Sequence, residues 1–262
     1  MSESETELVR YGVSAGVATV TLDSPAKRNA LSQALMSQLS ERLSAALGDD
    51  AVRVLVLSHT GPVFCSGMDL SEARGTGASE MGVNAFPNIL QTLWDSPKPI
   101  VARVAGPARA GGLGLIAACD LAVCTRAATF AFTEVRLGII PAVISVTVLP
   151  RLNPRAASEL FLTGSVFDGV RAAEIGLVNA AVEDDRLDVV TASYVADLVK
   201  GGPIALAATK ALLRRPRADT MAEDFTELLE MSAQFFASDE GQEGIRAFGE
   251  KRPPSWVPLD PT

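Results

Sequence analysis

The sequence predicts an α/β core over residues 1–195 and a helical C-terminal region over residues 196–262. Three observations predict this division. Short β-branched segments recur between residues 17 and 124, a run of leucines four residues apart separates the first two, and strand signals stop after about residue 150.

The elements follow in order. Residues 17–22 (Val-Ala-Thr-Val-Thr-Leu) are short and β-branched and follow Gly16, which reads as a strand. Leu31, Leu35, Leu39, Leu43 and Leu47 then form one apolar stripe of a helix. Ser32 suits its N-cap, Leu31 and Met36 a hydrophobic staple, and Gly48 the C′ position. Residues 52–57 (Val-Arg-Val-Leu-Val-Leu) are almost continuously apolar and predict a strand covered on both faces. Residues 75–82 are small, polar and glycine-rich and predict a mobile loop. Residues 99–104 and 121–124 are further strands. Residues 154–160, 187–200, 203–213 and 221–236 carry helical patterns, and the Pro253-Pro254 tail ends regular structure. No repeat of fixed period is present.

Composition narrows the function. A hydrophobic content of 48% supplies a core and argues against disorder. With 23 Lys and Arg against 31 Asp and Glu, the net charge of −8 disfavours a nucleic-acid partner. The apolar stretches are broken early, by Asp120 and by Pro141 and Pro150, so no membrane partner is expected. The acidic start Met1-Ser2-Glu3-Ser4-Glu5 has no basic run before an apolar segment. Cys65, Cys119 and Cys124 are few and unpaired by spacing, so a cytoplasmic location is expected. One histidine, His59, cannot build a histidine-rich metal site, and no metal is expected. No GxSxG elbow or Walker A loop occurs, and His59 at a strand end reads as structural.

Three segments could carry chemistry. In Phe64-Cys65-Ser66-Gly67-Met68-Asp69-Leu70 and in Ala105–Leu115, glycine turns lead towards helices. Each turn could aim backbone N–H groups at developing negative charge, or could only permit tight packing. Gly112-x-Gly114-x-x-Ala117 also matches a loose dinucleotide fingerprint, with Glu134 downstream at a ribose-contact distance, but the glycines do not follow their strand directly. Glu134 itself is one carboxylate in an apolar stretch. It is equally suited to acid–base work, to an ion pair with Arg136, or to capping the next helix.

Taken together, these segments resemble the enoyl-CoA hydratase/isomerase (crotonase) family. The likeness rests on five ordered motifs. They are Pro25-Ala26-Lys27-Arg28-Asn29-Ala30-Leu31-Ser32, the Phe64–Leu70 segment, Gly111-Gly112-x-x-Leu115-x-x-x-Cys119-Asp120, Glu134-x-x-Leu137-Gly138-x-x-Pro141 and Ala172-x-x-x-Gly176-Leu177-Val178. The resemblance implies a crotonase-like spiral of ββα turns with a C-terminal region that packs trimers, often paired into hexamers. It implies an acyl-CoA thioester substrate and no separate cofactor, CoA being part of the substrate. The thioester oxygen would be held by the N–H groups of Met68 and Gly111; losing one such donor typically costs about 2.7–4 kcal/mol of barrier. CoA would lie along Ala26, Lys27, Arg28, Ser66, Asp69 and Leu70, with Gly112 beside it, and Phe248 and Lys251 would reach its nucleotide end, with Arg252 adding charge there.

The resemblance also implies a departure. Family hydratases with two glutamates carry the first where this chain has Gly114; Glu134 matches the second. Ala142-Val143-Ile144-Ser145 stands where many relatives are glycine-rich. Hydration of 2-enoyl-CoA to 3-hydroxyacyl-CoA is the leading expectation, with Glu134 as acid–base residue. The alternatives are a Δ3,Δ2-enoyl-CoA isomerase using Glu134 alone and a non-catalytic acyl-CoA-binding relative.

Overall fold

The structure is a computed structural model that describes residues 6–72 and 85–258, so the predicted loop at 75–82 lies outside the described residues. β1 (Val9–Ser14) and β2 (Val17–Leu22) form an antiparallel hairpin. Its two-residue turn, Ala15-Gly16, has both φ angles positive (48° and 75°), the geometry that matches strand twist. The sequence pattern missed β1 because it is an edge strand with only Val9 buried.

α1 (Gln33–Gly48) carries the chain from β2 to β3 (Val54–His59), which pairs parallel to β2. Ser32 caps α1, its Oγ accepting from Leu35 N–H at 3.2 Å, and Leu31 and Met36 are both buried. Gly48 is the last helical residue rather than the C′ residue. The chain leaves through Asp49 in an extended conformation (φ −91°, ψ 109°), so no left-handed exit is needed. All six β3 residues are buried, as a strand covered on both faces requires. The strand begins two residues later than predicted; Arg53 N–H and Val54 N–H both donate to the Gly16 carbonyl of the hairpin turn, at 2.7 and 3.3 Å.

α2 (Ala85–Asp95) precedes β4 (Ile100–Val104), and then come β5 (Ala108–Arg109), α3 (Gly111–Ala118), β6 (Leu121–Thr125) and β7 (Thr129–Ala131). A 3-10 turn (Glu134–Leu137) leads to α4 (Ala142–Val148) and α5 (Pro154–Thr163). Strand structure then resumes, contrary to expectation, in β8 (Phe167–Asp168) and, after α6 (Gly169–Glu174), in β9 (Ala180–Val182). Both are too short to show a period of two. The main sheet runs β1-β2-β3-β4-β6-β9, parallel beyond the first hairpin, and β5-β7-β8 form a second small sheet.

α7 (Leu187–Lys200), α8 (Pro203–Arg214), α9 (Met221–Ala237) and α10 (Asp239–Glu250) complete the chain. The division drawn at 195/196 falls inside α7. α7 and α8 meet at a bend of 110°, and no single described helix is long and apolar enough to cross a membrane. α8 is fixed to the core by charge: Asp120 binds Lys210 Nζ at 2.6 Å and Arg214 Nη2 at 2.8 Å. Asp120 also accepts from Ile100 N–H at 2.8 Å. The Arg214 guanidinium lies 4.4 Å from the Trp94 ring centroid, and that of Arg151 lies 4.6 Å from it. His59 is structural: its Nε2 accepts from Ala105 N–H at 3.0 Å, its ring meets Phe64 edge-on, and burial lowers its pKa.

Candidate active site

Two turns come together at the start of α3. In the first, Leu31 N–H donates to Gly67 O at 2.8 Å and Asp69 N–H to Leu31 O at 3.2 Å. These bonds flank Met68, so the Met68 N–H points away from Leu31. In the second, Arg109 N–H donates to Cys65 O at 3.0 Å and Ala110 N–H to Ala131 O at 3.2 Å. Ala110 then takes φ 47° and ψ −114°, a strained turn for a residue with a side chain, and α3 begins at Gly111. First-turn donors of a helix have no partner within it. Among the described residues, neither Met68 N–H nor Gly111 N–H donates to a backbone carbonyl.

The turns touch. Gly67 has φ +90°, and a Cβ there would sit 3.1 Å from Ala110 Cβ and 3.7 Å from Gly111 N. Gly112 is buried differently: a Cβ would lie 2.8 Å from Cys65 O, so this residue packs the turns together rather than lining a cavity. Gly112 and Gly114 both lie within α3 rather than in a turn after a strand, which leaves the dinucleotide fingerprint as weak as its spacing suggested.

Met68 and Gly111 face a chamber of about 290 Å³ that also contains Glu134, Phe86, Val143 and Ile144. Glu134 opens the 3-10 turn after Thr133 and is 8% exposed. Its Oε2 is buried with no hydrogen-bond partner, and desolvation raises its pKa above the usual 4.5. The ion-pair reading fails, since the Arg136 Nε donates to Thr163 O instead. The capping reading fails as well, because Glu134 is itself the first residue of the turn.

Outside the chamber runs a groove of about 400 Å³ lined by Ala26, Lys27, Arg28, Ser66, Asp69 and Leu70. Chamber and groove share Ser66, Met68 and Leu70, so one elongated ligand could occupy both. Lys27 Nζ is 3.5 Å from Asp69. Asp69 accepts from Ser71 N–H at 3.0 Å and Ser71 Oγ at 2.5 Å, which lowers its pKa and fixes it as a turn cap. It does not line the chamber.

Phe248 and Lys251 stand apart from this assembly. Phe248 is 88% exposed near the end of α10, Lys251 closes that helix, and neither lines the groove. Arg252 is held by Glu243 at 2.7 and 3.0 Å and by Glu250 at 2.6 Å, so its charge already has partners within the chain. Sequence reasoning missed Phe86, Ile139 and Ile140 as chamber walls. It also missed how Gly114 is filled. A Cβ there would lie 2.7 Å from Ile144 Cγ2, so Ile144 occupies the space into which a side chain at 114 would project.

The arrangement offers one carboxylate poised to hold or release a proton, beside two free backbone donors. The model of the enoyl-CoA hydratase/isomerase family matches residues 12–258. The chain is 34% identical to the hydroxycinnamoyl-CoA hydratase-lyase of Pseudomonas fluorescens, over 82% of this chain and 81% of that one. Among solved structures, it superposes on an enoyl-CoA hydratase of Mycobacterium smegmatis with TM-score 0.87 and 32% identity, covering 96% and 99% of the two chains. Human enoyl-CoA hydratase domain-containing protein 3 gives TM-score 0.89 at 26% identity, over 95% and 100%. The crotonase-like fold expected from the motifs is therefore the one observed, and the chain belongs to the enoyl-CoA hydratase/isomerase family.

Proposed function

We propose that this acyl-CoA enzyme adds water across the double bond of a 2-enoyl-CoA. The observation that carries the reading is the buried, unpartnered Oε2 of Glu134 in an apolar chamber beside Met68 and Gly111. The thioester oxygen accepts from the Met68 and Gly111 N–H groups, which draw electron density from the double bond. Glu134 takes a proton from water as the hydroxyl adds to Cβ. The electron pair moves onto the thioester as an enolate. Glu134 then returns the proton to Cα and is again a carboxylate. A raised pKa suits both halves of this cycle near neutral pH. CoA lies along the groove past Lys27 and Arg28, and the chain assembles as a trimer or a dimer of trimers.

A second reading is favoured by one observation. With Ile144 over Gly114, Glu134 is the one carboxylate lining the chamber among the described residues. Glu134 alone can take a proton from C2 of a 3-enoyl-CoA and return it at C4, which is allylic isomerisation. Thioester absorbance with crotonyl-CoA and with a 3-enoyl-CoA separates the two. Hydration predicts 3-hydroxyacyl product from crotonyl-CoA; 3-to-2 conversion without that product overturns it. Glu134→Gln is expected to lower either rate by about 10²–10⁴-fold. Binding without any turnover would instead mark a non-catalytic relative.

A further inference from the structure

The chamber has a neighbour. A mostly apolar groove of about 490 Å³ runs between α2 and α4, lined by Pro87, Leu90, Trp94, Val143, Val146 and Thr147 together with the polar Gln91 and Asp95. The two cavities share their walls. Phe86 of α2 lines the chamber and Leu90, one turn on, lines the groove. On α4, Val143 lines both, Ile144 faces the chamber, and Val146 and Thr147 face the groove.

Side chains from α4 and α2 approach α3 at the same point, Gly114. A Cβ at Gly114 would lie 2.7 Å from Ile144 Cγ2 and 3.5 Å from Leu90 Cδ2, so both side chains converge on that spot. Each is 3% exposed. The wall is fixed from behind. Thr147 Oγ1 reaches Gly114 O at 3.2 Å and Ile144 O at 3.3 Å, which ties α4 to α3. The Trp94 ring packs against the guanidinium groups of Arg151 and Arg214. The groove is open at its far side, where Val146 is 72% exposed.

We infer that Ile144 sets the acyl-chain length this enzyme accepts: it ends the chamber, and the α2–α4 groove behind it is a latent extension for a longer chain. The inference rests on the acyl-CoA reading above. The occupant follows from chemistry, since the groove is mostly apolar and shares Val143 with the chamber holding the carboxylate. Gly114 belongs to the same device, because the absence of a side chain there is what lets Ile144 seat against α3.

Saturated acyl-CoA esters test this by binding alone, with no turnover. Dissociation constants for butyryl-, octanoyl- and dodecanoyl-CoA are measured by calorimetry on the full chain. In the wild type, dodecanoyl-CoA binds no more than about tenfold tighter than butyryl-CoA. Ile144→Ala shifts the ratio towards dodecanoyl-CoA by at least about tenfold, since each buried methylene is worth about fourfold. Ile144→Val, a smaller truncation that spares the fold, shifts it in the same direction by less. Adding Val146→Trp to Ile144→Ala fills the groove from its exposed side and reverses the gain. A wild-type preference for dodecanoyl-CoA well beyond tenfold overturns the inference alone. So does an unchanged ratio in both Ile144 variants, or a gain that Val146→Trp leaves intact. If no ester binds the folded wild type, the acyl-CoA reading falls and this inference falls with it.

Discussion

Glu134 is a carboxyl group whose burial disfavours its charge, and that has a consequence for stability as well as for chemistry. Its folded pKa is raised above the usual 4.5 by desolvation. The folded state therefore holds the proton more tightly than the unfolded state. The stabilising contribution is present below pH 4.5 and is lost as pH rises through the raised value. Glu134→Gln removes a buried charge that has no ion pair among the described residues and whose Oε2 has no hydrogen-bond partner. Its melting temperature should exceed that of the wild type at pH 7, and the difference should vanish near pH 4. A variant less stable than the wild type at pH 7 would show that the carboxylate has a partner. At the other end of the ligand path, Arg28 lines the groove and has no ion pair among the described residues. Arg28→Glu is expected to weaken CoA-ester binding by about tenfold, the worth of roughly 1.5 kcal/mol for one charged hydrogen bond. Raising the salt concentration should shrink that effect in titration calorimetry. At this scale the motifs made much of the site legible. Gly67 and Gly111 stand in the sequence because two backbones meet there, and Glu134 stands out because its neighbours are apolar. Ile144 was legible only in part: residues 142–145 stood out as bulkier where many relatives are glycine-rich, which predicts a reshaped acyl pocket but not its direction. The role of Ile144 is defined by Gly114, thirty positions earlier on another helix, and that contact exists only once α4 docks on α3.

At the scale of elements, α8 shows how the helical region is joined to the sheet. Among its residues only Lys210 is buried, and it is buried as an ion. Lys210 and Arg214 both converge on Asp120, whose side chain is 16% exposed. Asp120→Asn leaves two cations facing one neutral amide, and breaking a pair this buried should cost about 3 kcal/mol in urea unfolding. The comparison is Asp188→Asn, which breaks the Arg103 bridge. Asp188 is 77% exposed, so the loss should stay below about 1 kcal/mol. Equal losses would place the anchorage of α8 elsewhere. Elements of this region differed in how readily they could be read. Residues 187–200 and 221–236 carry enough turns to display a period, and α7 and α9 were found to within a residue. α2 carried the same signal, with Phe86, Ile89, Leu90 and Leu93 on one face, but it follows the glycine-rich 75–82 stretch and was missed. β8 and β9 hold two and three residues. Their strand state comes from pairing with β7 and β6, which local sequence does not encode.

For the whole molecule, the telling feature is apolar surface that one chain leaves uncovered. α9 is capped as a stable helix by the Thr220–Glu223 box, yet none of its residues is buried. Met221, Phe225 and Leu229 follow at intervals of four, and Phe236 comes seven later; all four are at least 65% exposed. A stripe of this kind on an otherwise acidic surface is expected to be covered by another copy of the chain. Phe248, 88% exposed, lies on the adjoining helix. Phe248 does not line the groove of its own chain. Sedimentation equilibrium should therefore give three times the 27.4 kDa chain mass, or a multiple of it. Because the net charge of −8 opposes assembly, moderate salt should strengthen it. Phe225→Glu combined with Leu229→Glu puts charge on the stripe at exposed positions, so the fold should survive while the assembly dissociates. If the C-terminal contacts come from a neighbour, that monomer should also bind CoA esters more weakly, with Glu134 and its chamber untouched. A wild type that sediments at 27.4 kDa at micromolar concentration would refute the assembly. A monomeric variant with undiminished CoA affinity would instead refute the role of Phe248 and Lys251, leaving the stripe as an interface that serves stability alone.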